Sequence, residues 1–387
     1  MKTGLSKKTF ELEYLVSILG FLTSIVISIH LWFPSENIFS PTPVFELIES
    51  TPDLIHSIIT SSFILFLILS FFIAKHQKKL LSIFCFFLIV SLFLDQLRWQ
   101  PWVFYYLFIF SIFVFIPLNK KQVRLNTLRL ILALIYIWSG IQKINYTFLT
   151  DTYPWLVEPL TDLFSDTINT TITSTSFLAP LIEISAGIGL FFRKTQRFSA
   201  IILVVMHFFI LCMIGPFGHN SNFVVWPWNI TFSILLILLF IKENKISIFD
   251  SFKKRIYTYQ IFILILFGAM PALSFFDTWP MYFSSALYSG NKIDSEIFLP
   301  DQFKEELPDY IKTKVEETNN ATRLKFFVQY ELNIPIYPTK EFHLSSFKRL
   351  CSQYPDYSFE FVLITYSKPN ILTGEKEEET FFCDELN

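Results

Sequence analysis

Three ionisable residues interrupt otherwise apolar stretches: Lys143 in YIWSGIQKI, Glu183 in FLAPLIEISAGIGLFF and His207 in FSAIILVVMHFFILCMIG. A charged side chain at the bilayer centre costs about 2.5–3.5 kcal/mol on insertion scales, so such residues mark functional sites by default. The chemistry they suggest is proton transfer. A lysine in low dielectric acts as a base if desolvation strips its proton, and as a structural cation if a nearby carboxylate holds it charged. Lys143 is the candidate catalytic base, and Glu183 and His207 are candidate substrate-binding or orienting groups. The competing reading is an ion pair that ties helices together.

The elements around them are membrane spans. Hydrophobic residues make up 52% of the 387, charged residues 17%, and Phe occurs 47 times. An ordinary soluble domain carries about 25% charged residues. A net charge of −2, with no basic stripe, excludes nucleic acid as a partner. Nine apolar runs approach the roughly 20 residues that cross a bilayer: about 12–33, 56–74, 80–94, 101–117, 125–143, 177–192, 198–214, 223–241 and 257–276. The expected fold is a polytopic all-α membrane protein of about nine transmembrane helices, with a transmembrane domain over 1–276. A small extracytoplasmic α+β domain follows over 277–387.

Orientation follows from the connections. Lys75, Lys78 and Lys79, then Lys120, Lys121 and Arg124, then Arg193, Lys194 and Arg197, then Lys253, Lys254 and Arg255 alternate with acidic or uncharged loops. Basic loops stay inside, which places the N-terminus in the cytoplasm and everything beyond about Phe276 outside, as in a bacterial inner membrane. The first run is too long for a signal peptide and reads as a retained span. Trp32, Trp99, Trp102, Trp155, Trp226, Trp228 and Trp279 fall at the outer boundary, most of them as headgroup anchors.

At 1.5 Å per residue, Glu183 lies roughly 9 Å below the outer surface and His207 about 14 Å into its span. Asp95, Gln96 and Arg98 close the third run at the outer boundary, and Asn220 and Trp226 belong to the outer connection and its edge. These polar residues converge on an outward-opening pocket. LDQLRWQPW either grips a substrate headgroup or forms a capped turn with an interfacial salt bridge. Ser139, Gly140, Ser185, Ala186, Gly187 and Gly189 allow close helix approach, and WPMYFSSALYSGN is either a rigid linker, the commoner case, or a seal over the pocket from above.

In the tail, PDQFKEELPDYIKTKVEE and KEFHLSSFKRLCSQY read as helices, and RLKFFVQYELNIPIY and YSFEFVLITYS as strands. This domain is a candidate dock for an envelope protein partner. Cys351 and Cys383 are a candidate disulfide on the oxidising side. Cys85 and Cys212 read as small apolar residues within spans. No CxxC pair or histidine cluster suggests a metal site.

YIWSGIQKI, PLIEISAGIGLFF and the histidine fifteen residues beyond that Phe pair resemble the horizontally transferred transmembrane (HTTM) family, specifically the membrane domain of vitamin K-dependent gamma-glutamyl carboxylases. The likeness covers about 125–230, within a core of about 80–241. It implies that Lys143 deprotonates a reduced quinone, here a menaquinol-like lipid, with Glu183 and His207 lining the pocket. The alternative function is a non-catalytic membrane subunit or scaffold.

Overall fold

All nine apolar runs form helices in the computed structural model, which describes residues 12–34, 41–48, 50–242, 247–307, 312 and 321–386. Among the described residues, six helices are long and apolar enough to cross a membrane: Asp53–Phe72, Ala74–Leu94, Lys121–Gln142, Gln196–Ile214, Val225–Lys242 and Thr258–Phe276. The pair Asp166–Ser174 and Leu178–Gly189, bent by 42°, makes a seventh if it is one span. The other two of the nine expected spans fall short. Leu12–Ile27 (α1) has 16 residues and Pro101–Phe115 has 15, or about 24 and 22 Å at 1.5 Å per residue. Ser28 interrupts the first run before Ile29–Trp32. Pro101 opens the second, and Pro117 follows its end.

The remaining helices used below are α2 (Asp53–Phe72), α3 (Gln77–Leu94), α4 (Pro101–Phe115), α5 (Lys121–Gln142), α6 (Leu178–Gly189), α7 (Gln196–Ile214) and α8 (Val225–Leu236). The short helix α4 is buried on every side, as a helix apolar all round should be. Phe21 of α1, Phe63 of α2, Phe84 of α3 and Phe110 of α4 meet with centroids 5.2–6.3 Å apart, mostly edge to face. Trp32 and Trp102 join this cluster at 0% and 1% exposure. They are core residues, which corrects their reading as interfacial anchors.

Hydrogen bonds gather the basic connections at one end. Arg124 donates to Pro117 O, Asn126 to Ser251 Oγ, and Phe249 N to Phe191 O. The described residues of 277–386 cover the other end. There Gln100 donates to Pro335 O, Asn333 to Ile27 O, Arg349 to Pro41 O and Lys368 Nζ to Ser274 O.

At that end an antiparallel sheet has the order β2-β1-β3-β4: β1 (Asp294–Phe298), β2 (Ala321–Arg323), β3 (Val362–Tyr366) and β4 (Glu378–Phe382). Two helices, α10 (Leu324–Leu332) and α11 (Lys340–Gln353), pack beside it; α9 denotes the short opening of the last long helix, Thr258–Ile263. KEFHLSSFKRLCSQY forms its expected helix, and YSFEFVLITYS forms a strand only over Val362–Tyr366, after a 3-10 turn at Ser358–Glu360. RLKFFVQYELNIPIY does not take its expected form: after β2 it becomes α10, with Leu324, Phe327, Val328 and Leu332 on one buried stripe. Its β-branched and aromatic content suggested a strand, but the 3.6-residue spacing of those four positions decides the form. Of PDQFKEELPDYIKTKVEE only residues 300–307, which hold a 3-10 turn at Asp301–Glu306, and residue 312 are described, and the rest lies outside the described residues. A disulfide joins Cys351 of α11 to Cys383, just after β4.

His343 of α11 is fully buried. Burial pulls it from 6.5 to about 4, Lys292 pushes it the same way, and Asp294 and the Tyr337 carbonyl oppose. Between these values the unfolded chain takes a proton that the folded chain refuses, so stability falls as pH drops through 6.5 towards 4. The expected loss reaches about 3 kcal/mol below pH 4. Thermal unfolding between pH 7 and 4 should show it, and His343→Leu should flatten the profile.

Candidate functional site

The site begins with a close approach of α5 and α6. A Cβ on Gly140 would lie 2.8 Å from Pro180 O, and one on Gly187 would lie 2.9 Å from Ile137 N. Glycine at both positions lets the backbones meet, the usual device for packing helices in lipid. The approach sets Lys143, the residue that ends α5, against Glu183 of α6. The ammonium donates to Glu183 Oε2 and, at 2.9 Å, to Ser139 Oγ one turn earlier. Their side chains are 14% and 5% exposed. Opposite charge offsets part of a desolvation cost of several kcal/mol per ion.

A second chain of polar groups runs beside the pair. Asn229 of α8 donates through Nδ2 to Val225 O at 2.6 Å, which turns its Oδ1 towards His207 Nδ1, 2.7 Å away. Nδ1 therefore carries the ring proton, and Nε2 accepts from the Tyr136 hydroxyl at 2.6 Å. Both nitrogens of a neutral imidazole are thus satisfied. Lys143, Glu183, His207, Tyr136 and Asn229 all line one cavity of about 70 Å³. Ser285 and Tyr288, from the segment before β1, close it towards the sheet-bearing end. Tyr105 donates to Ser285 Oγ at 2.9 Å, and Asn222 to the Tyr288 hydroxyl at 2.5 Å.

Five of the eight expected site residues lie elsewhere. Asp95 accepts from Leu97 N and Thr42 N at 3.0 and 3.2 Å, and Gln96 donates to Pro43 O. Arg98, fully buried, donates to Leu31 O at 3.2 Å and Ser91 O at 3.3 Å, lies 3.3 Å from His56 Nδ1 and packs over the Trp32 ring. LDQLRWQPW is thus a knot that pins helix ends. Asn220 is an exposed turn residue with φ 45°. Trp226 sits against Phe223, and Trp228, two positions on and so about 200° around the helix, faces the cavity instead.

The residues missed had signals. Tyr136 and Ser139 precede Lys143 by seven and four positions, on the same helix face. Asn229 is an amide inside an apolar helix. Ser285 and Tyr288 belong to WPMYFSSALYSGN, the segment named from the sequence as a possible seal, and a loop brings them to the cavity.

Beyond Leu287 and Tyr288, which border both spaces, a cleft of about 600 Å³ opens between the helix ends and the sheet. Trp155 and His219, stacked at 4.3 Å, form one wall. Lys292, Asp294, Arg323 and Lys325 form the other. Among the described residues no group of three or more His, Cys, Asp or Glu could hold a metal ion.

The DoxX family, a membrane family, matches residues 125–216, the stretch that carries Lys143, Glu183 and His207. Together with the apolar helices this makes the chain an integral membrane protein. It also corrects the likeness to the HTTM family and the gamma-glutamyl carboxylases, which find no match here. Small residues such as Gly140 and Gly187 let two helices meet around an ion pair in many membrane proteins, so these short patterns are not specific to the HTTM family. No curated protein and no solved structure matches the chain.

Proposed function

We propose that the Lys143–Glu183 pair is a proton-exchanging binding centre for a small polar molecule that enters from the sheet-bearing end. The observation that carries this reading is that the pair lines a cavity instead of being sealed in protein. Nζ places two of its three hydrogens on Ser139 and Glu183, and Glu183 Oε1 has no hydrogen bond among the described residues. A donor and an acceptor therefore remain side by side for a ligand that carries both functions, such as a hydroxyl beside a carbonyl. Lys143 donates a hydrogen bond to the ligand's carbonyl oxygen while Glu183 accepts one from its hydroxyl. Tyr136, held by neutral His207, supplies a further polar contact.

In this reading the nine helices all cross the membrane, with the basic connections in the cytoplasm and the sheet outside, as in a bacterial inner membrane. Alternating Lys and Arg support that orientation. The menaquinol-like lipid expected from the sequence fits poorly. An engineered cavity of about 150 Å³ admits benzene, and this one has about half that volume.

Native mass spectrometry with small-molecule extraction tests the proposal on wild type and the Lys143→Met/Glu183→Leu double variant. The expected result is a small polar compound released by wild type and missing from the folded variant. Identical extracts from both would defeat it, and a prenyl quinone in the wild-type extract would restore the quinol reading.

A further inference from the structure

We infer that the cleft at the sheet-bearing end is a binding site for a small oxyanion, a carboxylate or phosphate group, held by Lys292, Arg323 and Lys325. The strand register builds it. Glu296 of β1 stands opposite Arg323 of β2, so Asp294, two residues earlier, shares that face, and Lys292 precedes β1 by two residues. Lys325 is the second residue of α10, which follows β2 directly.

The charges do not balance. The cleft is lined by Lys292, Arg323, Lys325 and Lys376 against Asp151 and Asp294, four cations to two carboxylates, a surplus of two. The existing pairs are loose: Arg323 lies 3.4 Å from both Asp294 and Glu296, and Lys325 lies 3.9 Å from Asp294. Good hydrogen bonds run 2.7–3.2 Å, so these donors remain available. Lys292 Nζ has no hydrogen bond or ion pair among the described residues. Glu296 is further occupied by the Tyr366 hydroxyl, which donates to it at 3.0 Å.

The acidities record the same shortage of negative charge. Burial pulls Lys325 from 10.5 to about 8, and Arg323, Lys292 and Lys376 push it the same way against Asp294 alone. Lys292 is lowered for the same reasons. Burial would raise Asp294, yet Lys325, Arg323 and Lys292 together hold it below its ordinary value. A bound anion relieves this repulsion. The volume lies within the 300–1,000 Å³ usual for ligand sites, and Trp155, Phe326 and Ile336 offer apolar surface for the rest of the ligand. The cleft stands at the level of the helix ends, so the anion is either a free solute or the phosphate of a lipid headgroup.

The test uses the full chain in nanodiscs of zwitterionic lipid, titrated with inorganic phosphate and read by thermal shift. Wild type should show saturable stabilisation. Lys292→Met/Lys325→Met should bind at least tenfold more weakly, Lys292→Arg should bind normally, and wild-type affinity should fall above pH 8 as Lys325 loses its proton. If anionic phospholipid instead co-purifies with wild type and is depleted in the double variant, the same site takes a lipid headgroup. Equal phosphate response and equal lipid content in wild type and the folded double variant overturn the inference. The readout is anion binding, so it stands or falls apart from the chemistry at Lys143.

Discussion

Lys143→Met alone is expected to destabilise the protein by about 3–5 kcal/mol, and adding Glu183→Leu should return most of that loss. Removing one member of a buried pair strands the other charge, whereas replacing both with apolar groups of similar volume is often neutral or better. The surroundings make the case sharp. The Glu183 side chain is 5% exposed, its ion-pair partner among the described residues is Lys143, and the glycine contacts at Gly140 and Gly187 leave the two backbones little room to part. Thermal or denaturant unfolding in detergent, run as a double-mutant cycle, should be strongly non-additive, with each single variant less stable than the double. An additive cycle would mean that the pair contributes little in the membrane-like environment. A stable double variant is also what the small-molecule extraction requires, because it separates a lost ligand from a lost fold.

The second large effect is structural. Arg98→Leu should cost about 3–5 kcal/mol by leaving buried Asp95, whose Oδ2 lies 3.8 Å from Arg98 Nε, without its cation, beyond the contacts to Leu31 O, Ser91 O and the Trp32 ring. Arg98→Lys should recover less than half of this, since a point charge cannot reproduce a planar fork that reaches carbonyls on separate segments. The measurement is the unfolding midpoint, together with the phosphate titration and the extraction. Both ligand readouts should be unchanged in the folded fraction of Arg98→Lys. A variant that keeps wild-type stability but loses a ligand would return LDQLRWQPW to the functional residues.

The contrast between Arg98 and Lys143 shows what was legible. Each is a cation at the end of an apolar run, with small or polar neighbours. Lys143 falls beside a cavity because Gly140 and Gly187 draw α5 and α6 together and α7 and α8 leave space next to them. Arg98 falls among carbonyls left by the break near Ser28 and the end of α3, with no space around it. Nothing in the local spacing distinguishes the two.

The sequence by itself determined the class of molecule, the positions of the helical runs and the three ionisable residues that meet inside the membrane part. Hydropathy and charge are local quantities, and the cost of burying them does not depend on how the chain turns. Only the tertiary structure decided the rest. Asn229 and Ser285 reached the centre from segments distant in sequence. The cationic cleft formed from β1, β2, α10 and the turn before β4. Each of these depends on long-range packing, where free energy comes from surfaces that meet across the fold and not from neighbours along the chain.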